Sequence, residues 1–295
     1  MSETMVVEDV IPRADIVKRA ERLGAELKNI ALSDDLPDDV IIAFKRLVLE
    51  HKVIFFRDQG HLDDAQQQRF VLRLGSLMPN PTMADTTVGL TIRQDLSDPA
   101  CSHLDQMNEG RVRTAISGLR LAAAPPFGGD ITWSSRAGAY LDLPDPLRML
   151  ADNLWAVSFV ASDLSAIERA NDANKRPWWG VSTETIYETT HPIVRVHPES
   201  GERMLSLGST VNNFVGLQRY PSQRLFELLQ SYLIAPRNTL CWNWKSGDVV
   251  IWDNRATEPY PVSKSSSPHW MTDQLAIGAR VPHEKRPKSR AAKAA

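Results

Sequence analysis

The 295-residue chain has little of several features that mark particular protein classes. It contains only two cysteines, Cys101 and Cys241, which argues against a secreted domain held by disulfides and fits a reducing compartment. The formal net charge is −2, so overall charge gives no sign of a nucleic-acid partner. No apolar run approaches the roughly 20 residues that cross a bilayer, and the acidic start lacks a signal-peptide layout. We therefore expect a cytoplasmic protein that binds neither nucleic acid nor membrane.

The sequence also lacks internal repeats and long low-complexity linkers, which favours a single domain over residues 1–282. Residues 283–295 are basic and are interpreted as a disordered tail. Two polar stretches, near 76–112 and 161–187, are predicted to be lid-like insertions because they lack clear periodicity.

Elsewhere, apolar spacing predicts a few helices and many short strands. The predicted helices cover residues 38–49, 63–74, 144–154 and 222–233. The predicted strands cover residues 53–56, 114–123, 193–196, 204–207, 240–244, 249–252 and 274–279. Many short strands with helices outside them indicate a mainly β fold with flanking helices, of the double-sheet jelly-roll type.

Five short blocks follow one another at compatible spacing along the chain. Residues 53–59 read V-I-F-F-R-D-Q, and residues 70–77 form a helix end in F-x-x-x-L-G-S-L. Residues 125–133 read P-P-F-G-G-D-I-T-W, and residues 191–201 read H-P-I-V-R-V-H-P-E-S-G. Residues 247–257 read G-D-V-V-I-W-D-N-R-A-T. Each block alone is a weak signal, but their order and spacing together are specific.

The ordered set resembles the taurine dioxygenase-like (TauD/TfdA) family of Fe(II)/2-oxoglutarate-dependent dioxygenases, from about Gly24 to Pro282. The resemblance implies a double-stranded β-helix, oxidoreductase chemistry on a small molecule, and Fe(II) and 2-oxoglutarate as cofactors. Relatives of this type often form homo-oligomers, so the resemblance also implies one here.

The family's iron is held by two histidines and one carboxylate, which leaves three adjacent positions open for 2-oxoglutarate and oxygen. The first two ligands come from an H-x-D motif, which matches His103 and Asp105; residues two apart on a strand face the same side. The third ligand is the histidine that ends the G-D-x-x-x-W-D-N-R-x-T-x-H pattern. Pro259 occupies that position, and its side chain has no donor atom. Glu258 lies one residue earlier and turns inward only if the strand has a bulge.

The positions that the resemblance assigns to 2-oxoglutarate are changed as well. If Met271 aligns with the methionine of the family's R-x-M-x-R segment, His269 and Asp273 replace its two arginines. Neither side chain reproduces a bidentate guanidinium, and Asp273 at that position would repel the dianionic cosubstrate. The family's threonine after Gly-Gly-Asp is replaced by Ile131, and Thr132 falls on the other face. We therefore expect weak Fe(II) binding and impaired 2-oxoglutarate binding.

Other residues are also candidates for the pocket, and most of them have two interpretations. Met78 falls where the taurine enzymes have a sulfonate-contacting histidine, which argues against taurine. Cys101 either joins His103 in an unusual metal site or, as we favour, is an inert buried thiol. Trp178 and Trp179 either cover an apolar substrate or form a core or interface pair.

The candidate acid–base and metal residues are also ambiguous. His103 and Asp105 form either a surviving metal site or a polar pair in the pocket. His269 either replaces the missing ligand or, as we favour, lines the pocket or the surface. We interpret three residues of the matched blocks as structural: His191, His197 and Arg255.

Three functions remain open at this point. The first is an oxygenase in which an unexpected donor or the substrate completes the iron site. The second is a non-oxidative enzyme, such as an isomerase, cyclase or lyase, that uses His103, Asp105 and His269 as acid–base groups. The third is a non-catalytic binding protein or partner subunit. The residue changes predict that ordinary 2-oxoglutarate-coupled hydroxylation is absent or severely impaired.

Overall fold

A computed structural model describes residues 6–75, 92–95, 114–121, 130–161, 186–208, 211–261 and 271–278. The helices in these ranges are Asp38–His51 (α1), Asp64–Leu74 (α2), Arg136–Asp142 (α3), Asp145–Asp152 (α4) and Arg219–Leu233 (α5). The first strands are Ile16–Lys18 (β1), Ala25–Leu27 (β2), Val53–Phe56 (β3), Ile92–Asp95 (β4), Thr114–Leu121 (β5), Ile131–Ser135 (β6) and Trp155–Ala161 (β7). The remaining strands are Ile186–Pro192 (β8), Val194–Val196 (β9), Arg203–Leu205 (β10), Val211–Phe214 (β11), Thr239–Trp242 (β12), Val249–Asp253 (β13), Thr257–Pro261 (β14) and Met271–Gly278 (β15).

Two sheets form the part of the fold that positions the site. The major sheet has seven described strands in the order β1-β2-β3-β13-β5-β15-β4, and the minor sheet has the order β12-β6-β14. Pairing within both sheets is antiparallel except between β2 and β3. Two smaller sheets, β11-β7-β8 and β10-β9, complete the described strands. The prediction of a mainly β fold of the jelly-roll type is confirmed, because the chain resembles the solved structures that are described below.

Strand β13 shows how the chain sorts its residues between two cores. Val250 and Trp252 face the minor sheet, whereas Val249 and Ile251 face the helix-covered side. This alternation follows from the two-residue repeat of a strand. The cluster between the sheets, here called the inner cluster, is buried and rich in aromatic rings. It comprises Leu23, Val53, Phe55, Leu119, Leu121, Ile131, Trp133, Leu240, Trp242, Trp244, Val250 and Trp252.

The helices α1 and α2 cover the other side of the major sheet. In α1, Ile41, Phe44 and Leu47 recur at helical spacing and are buried. Helix α2 begins with a capping box, in which Asp63 Oδ1 accepts from the Gln66 N–H at 2.6 Å. Helices α1 and α2 pack on the major sheet and bury a second hydrophobic core. The major sheet thus has one face toward the helices and one toward the inner cluster. None of the helices in the described ranges has the length and apolar composition needed to span a membrane.

The predicted helices and strands all occur in the described ranges, with bounds that differ by a few residues. Helix α5 begins at Arg219, three residues before the predicted start, because Pro221 is tolerated in a first turn. Helix α3 and strands β1, β2, β6, β7, β8, β11 and β14 were not predicted, and β4 lies inside the predicted insertion at 76–112. Strands β7 and β8 also extend into the ends of the predicted insertion at 161–187; the rest of that insertion lies outside the described residues.

Candidate active site

Strand β14 determines where position 259 lies. Pro259 pairs with Trp133 of β6, and pairing runs without a shift from Thr257 to Pro261. Residues directly opposite in an antiparallel pair share a face, so the buried Pro259 lies on the same face as Trp133 of the inner cluster. Proline within a strand is tolerated at a sheet edge, and β14 is the last strand in the described order of its sheet.

Glu258 lies on the opposite face of β14. It pairs with Ser134, and its carboxylate Oε2 lies 3.8 Å from a guanidinium nitrogen of the buried Arg136. The regular register contains no bulge that would turn Glu258 toward the inner cluster. Glu258 therefore does not replace the side chain missing at position 259.

A buried hydrogen-bond network holds the turn that leads into β14. The Asp253 carboxylate accepts from the Arg255 backbone N–H at 2.7 Å, from Arg255 Nη2 at 2.6 Å and from His197 Nε2 at 3.0 Å. Thr257 Oγ1 donates to the Asp253 carbonyl at 2.8 Å. Burial disfavours the charged carboxylate, but the hydrogen bonds from His197 and Arg255 outweigh it and lower the pKa of Asp253.

His197 takes part in this network as a neutral ring. Its Nδ1 accepts the backbone N–H groups of Ser200 at 3.1 Å and Glu199 at 3.3 Å. Because Nδ1 is an acceptor, the proton lies on Nε2 and is donated to Asp253. Arg255 supplies the positive charge opposite Asp253, and its Nη1 also contacts Glu199 Oε1 at 2.7 Å. Although burial lowers the pKa of Arg255, its hydrogen bonds to Asp253 and Glu199 prevail and raise it. The structural interpretation of His197 and Arg255 is confirmed.

His191 is also held inside the protein. Its Nε2 lies 2.9 Å from the hydroxyl of the fully buried Ser158, and its Nδ1 lies 3.2 Å from the Pro192 carbonyl. These contacts join β7 to β8, in agreement with a structural role.

The start of the block at residues 247–257 is held against the end of strand β3. Asp248 forms an ion pair with Arg57, whose guanidinium lies 3.9 Å from the centre of the Trp242 ring. Gly247 has a φ of +84°, and a Cβ there would lie 2.9 Å from the backbone nitrogen of Gly60. These contacts explain why the blocks at 53–59 and 247–257 occur together: they form one structural unit.

The predicted cosubstrate positions on β6 lie on opposite faces. Ile131 is buried in the inner cluster. Thr132 pairs with Cys241 and Tyr260 and shares their side of the minor sheet, away from that cluster. An isoleucine on the inner face offers no hydrogen bond to a carboxylate.

The register of β15 with β5 shows which side of the major sheet each of its positions lies on. Asp273 pairs with Arg120, whereas Gln274 pairs with Leu119 of the inner cluster. The Arg120 guanidinium donates to Gln67 Oε1 at 2.6 Å and to the Leu62 carbonyl at 2.9 Å, on the side of α2. The register thus places position 274, rather than Asp273, on the inner face of the sheet.

The remaining predicted site residues lie outside the described residues, and their roles stay predictions: Met78, Cys101, His103, Asp105, Trp178, Trp179 and His269. Within the described ranges, no three His, Cys, Asp or Glu residues are grouped in a way that would hold a metal.

Two tryptophans of the inner cluster, Trp133 and Trp244, were not predicted as candidate site residues from the sequence. Their indole nitrogens are buried and have no hydrogen-bond partner in the part of the chain that the structure describes. The two-residue spacing of Trp242 and Trp244 was a signal for rings on one face, but the partner of an indole N–H depends on tertiary structure.

The fold and the matched blocks agree with the comparison to known families. Residues 15–257 match the family described as taurine catabolism dioxygenase TauD, TfdA family. The chain belongs to the TauD/TfdA family. The match covers the network around Asp253 and ends two residues before Pro259.

Curated relatives and solved structures agree with this assignment. An alpha-ketoglutarate-dependent sulfate ester dioxygenase from Pseudomonas putida is 39% identical over 91% of this chain and 90% of its own length. An alkylsulfatase from Acinetobacter baylyi is 34% identical over 94% of this chain and 89% of its own length. The crystal structure of a taurine dioxygenase from Burkholderia xenovorans has a TM-score of 0.69 and 28% identity, covering 90% of each chain. The structure of AAD-2 in complex with Mn(II) and N-oxalylglycine has a TM-score of 0.74 at 18% identity, covering 92% of this chain and 99% of AAD-2, and shows the fold alone.

The described residues do not fit the third iron ligand that the family implies. Pro259 lies buried on the inner face at that position, and neither its ring carbons nor its tertiary amide nitrogen binds a metal. Glu258 faces away toward Arg136. At the position that the resemblance assigns to the third ligand, β14 thus offers no side-chain donor.

Proposed function

We propose that this protein retains the family's barrel for a small sulfate-ester type of substrate but lacks efficient 2-oxoglutarate-coupled hydroxylation. The observation that carries the proposal is the position of Pro259. It lies in an unshifted strand, buried and on the inner face beside Trp133. The scaffold around it is that of a dioxygenase, but the ligand position has no donor.

The chemistry of a facial triad makes this loss severe. Protein sites for divalent transition metals normally supply three or more donors, and two donors hold such ions weakly. His103 and Asp105 would remain as the two candidate ligands. A one-residue slip of β14 that brought Glu258 inward would also exchange the faces of Thr257 and Tyr260. The buried bond from Thr257 to the Asp253 carbonyl opposes such a slip.

The cosubstrate side of the site supports the same conclusion. Ile131 contributes an apolar side chain to the inner cluster where the family pattern has a threonine. On β15, the inner-face position 274 is a glutamine, which carries no charge to pair with a carboxylate. Both changes weaken the expected affinity for a dianion such as 2-oxoglutarate.

The substrate class is proposed from the relatives. The two curated relatives described above are named for sulfate esters and alkyl sulfates, and they align over most of this chain. A short alkyl sulfate is accordingly the first molecule to test.

The experiment is an anaerobic Fe(II) titration of the wild-type protein, followed by measurement of succinate release from 2-oxoglutarate with hexyl sulfate present. We expect no tight one-to-one iron binding and little succinate. The Pro259→His variant should gain iron affinity, whereas the matched Pro259→Ala variant should not, because only histidine adds a donor.

The other outcomes separate the alternatives. Tight iron binding with rapid succinate release by the wild type would contradict the proposal. Conversion of hexyl sulfate without iron or 2-oxoglutarate would indicate a non-oxidative enzyme. Binding of hexyl sulfate without turnover would indicate a binding protein.

A further inference from the structure

The inner cluster contains four tryptophans, and their indole N–H groups fall into two pairs. Trp242 donates to Asp248 Oδ2 at 3.1 Å, and Trp252 donates to Asn254 Oδ1 at 2.7 Å. The Nε1 atoms of Trp133 and Trp244 are buried, and among the residues described in the structure neither has an acceptor. Within the described residues, one pair of N–H groups is thus bonded and the other pair has no acceptor.

The rings that carry these two N–H groups lie close together, and one of them lies beside the altered ligand position. The ring centres of Trp133 and Trp244 are 6.2 Å apart, with their planes at 50°. Trp133 is fully buried, Trp244 is 7% exposed, and Trp133 pairs directly with Pro259. Both N–H groups are therefore buried in the cluster whose face Pro259 shares.

A buried N–H without an acceptor is costly, and buried indoles usually find one. Two such groups in one cluster indicate that an acceptor is supplied by something other than the described side chains. Around them the wall is apolar, with Ile131 and Leu240 in the same cluster. This combination suits a ligand that has an apolar body and an oxygen-rich end.

We propose that Trp133 and Trp244 donate their indole N–H groups to the sulfate oxygens of an alkyl sulfate ester. A sulfate monoester shares one negative charge among three oxygens, so neutral donors suit it better than they suit the two carboxylates of 2-oxoglutarate. The identity of the oxygen-bearing group rests on the proposed function, whereas the availability of the two donors does not.

The test is ¹H–¹⁵N NMR of the tryptophan indoles in the wild-type protein, without iron or 2-oxoglutarate, during titration with hexyl sulfate. The signals of Trp133 and Trp244 should move and their hydrogen exchange should slow, while those of Trp242 and Trp252 stay in place. Hexanol, which has the chain without the sulfate, should not produce this pattern. If the Trp133 and Trp244 signals do not respond to hexyl sulfate, the proposal is wrong.

Variants that keep an aromatic ring measure the contribution of each donor. Trp133→Phe and Trp244→Phe should each weaken hexyl sulfate binding by about tenfold, as expected for one hydrogen bond to a charged group. Trp242→Phe is the matched control, because its N–H is already bonded to Asp248; it should lower stability and leave the affinity of the folded protein unchanged. Equal affinity in Trp133→Phe, Trp244→Phe and wild type would also overturn the proposal.

The two proposals fail in distinguishable ways. Tight iron binding by the wild type, with the indole shifts intact, would refute impaired hydroxylation and leave the indole site standing. Weak iron binding without indole shifts would refute only the indole site.

Discussion

The turn at residues 253–257 is held by a buried hydrogen-bond network, whereas position 259, two residues further along, is a proline without a side-chain hydrogen bond. In the turn, Asp253 is buried and accepts hydrogen bonds from His197 and Arg255. At position 259 a proline stands where the family pattern has a metal ligand. We infer from the contrast that the network stabilises the turn independently of the residue at position 259. The following experiments test how far the two regions are separable.

The largest effect is expected at the centre of the network. Asp253→Asn should lower the free energy of unfolding by about 3–5 kcal/mol, because it leaves the buried Arg255 without its main counter-charge. Urea denaturation followed by circular dichroism measures the change. Glu199→Gln is the matched control: this carboxylate is largely exposed at the end of the same network, so its loss should cost at most about 1 kcal/mol. Similar losses in both variants would contradict the description of Asp253 as the centre.

Acid should weaken the same network. The pKa of Asp253 is lower in the folded protein than in the unfolded chain, so the folded state binds this proton less readily. Its stabilising contribution is fully present above the ordinary value of about 4 and is lost as pH falls through the lowered value. The unfolding free energy of the wild type should therefore decrease below about pH 4, and the decrease should be shallower in Asp253→Asn. Parallel pH profiles would exclude a contribution from this group.

A smaller effect tests the register of β15. Position 273 pairs with Arg120, away from the inner cluster, so we expect Asp273→Ala to leave hexyl sulfate affinity unchanged. Position 274 pairs with Leu119 of the inner cluster, so Gln274→Ala should alter that affinity. The reverse pattern in hexyl sulfate titrations would support the alignment that places Asp273 in the pocket.

The smallest effect is expected at the ligand position itself. Pro259 contributes no strand N–H and no side-chain hydrogen bond, so Pro259→Ala should change the free energy of unfolding by less than about 1 kcal/mol. Thermal denaturation measures it. A large loss of stability would show that Pro259 has become part of the scaffold.

Much of this architecture was predictable from sequence because the matched blocks are the contacts that hold the fold. The F-R-D-Q and G-D segments predict each other through the pair Arg57–Asp248, and H-P-E-S-G predicts W-D-N-R through His197 and Asp253. These contacts require particular residue types, so they leave a readable pattern.

The site was less predictable because it depends on pairing and on partners far apart in sequence. An eight-residue strand such as β15 fits either choice of inner face, and only its register with β5 places Gln274 inside. Likewise, nothing local to Trp133 or Trp244 shows that their indole nitrogens lack acceptors. Tertiary structure determines both.

The central claim is that the fold is intact while the iron site is incomplete at position 259. The most direct test is anaerobic Fe(II) titration by calorimetry of wild type and Pro259→His side by side. We expect weak or undetectable binding by the wild type and a clear gain of affinity in Pro259→His. Tight one-to-one binding by the wild type, unchanged in the variant, would contradict it.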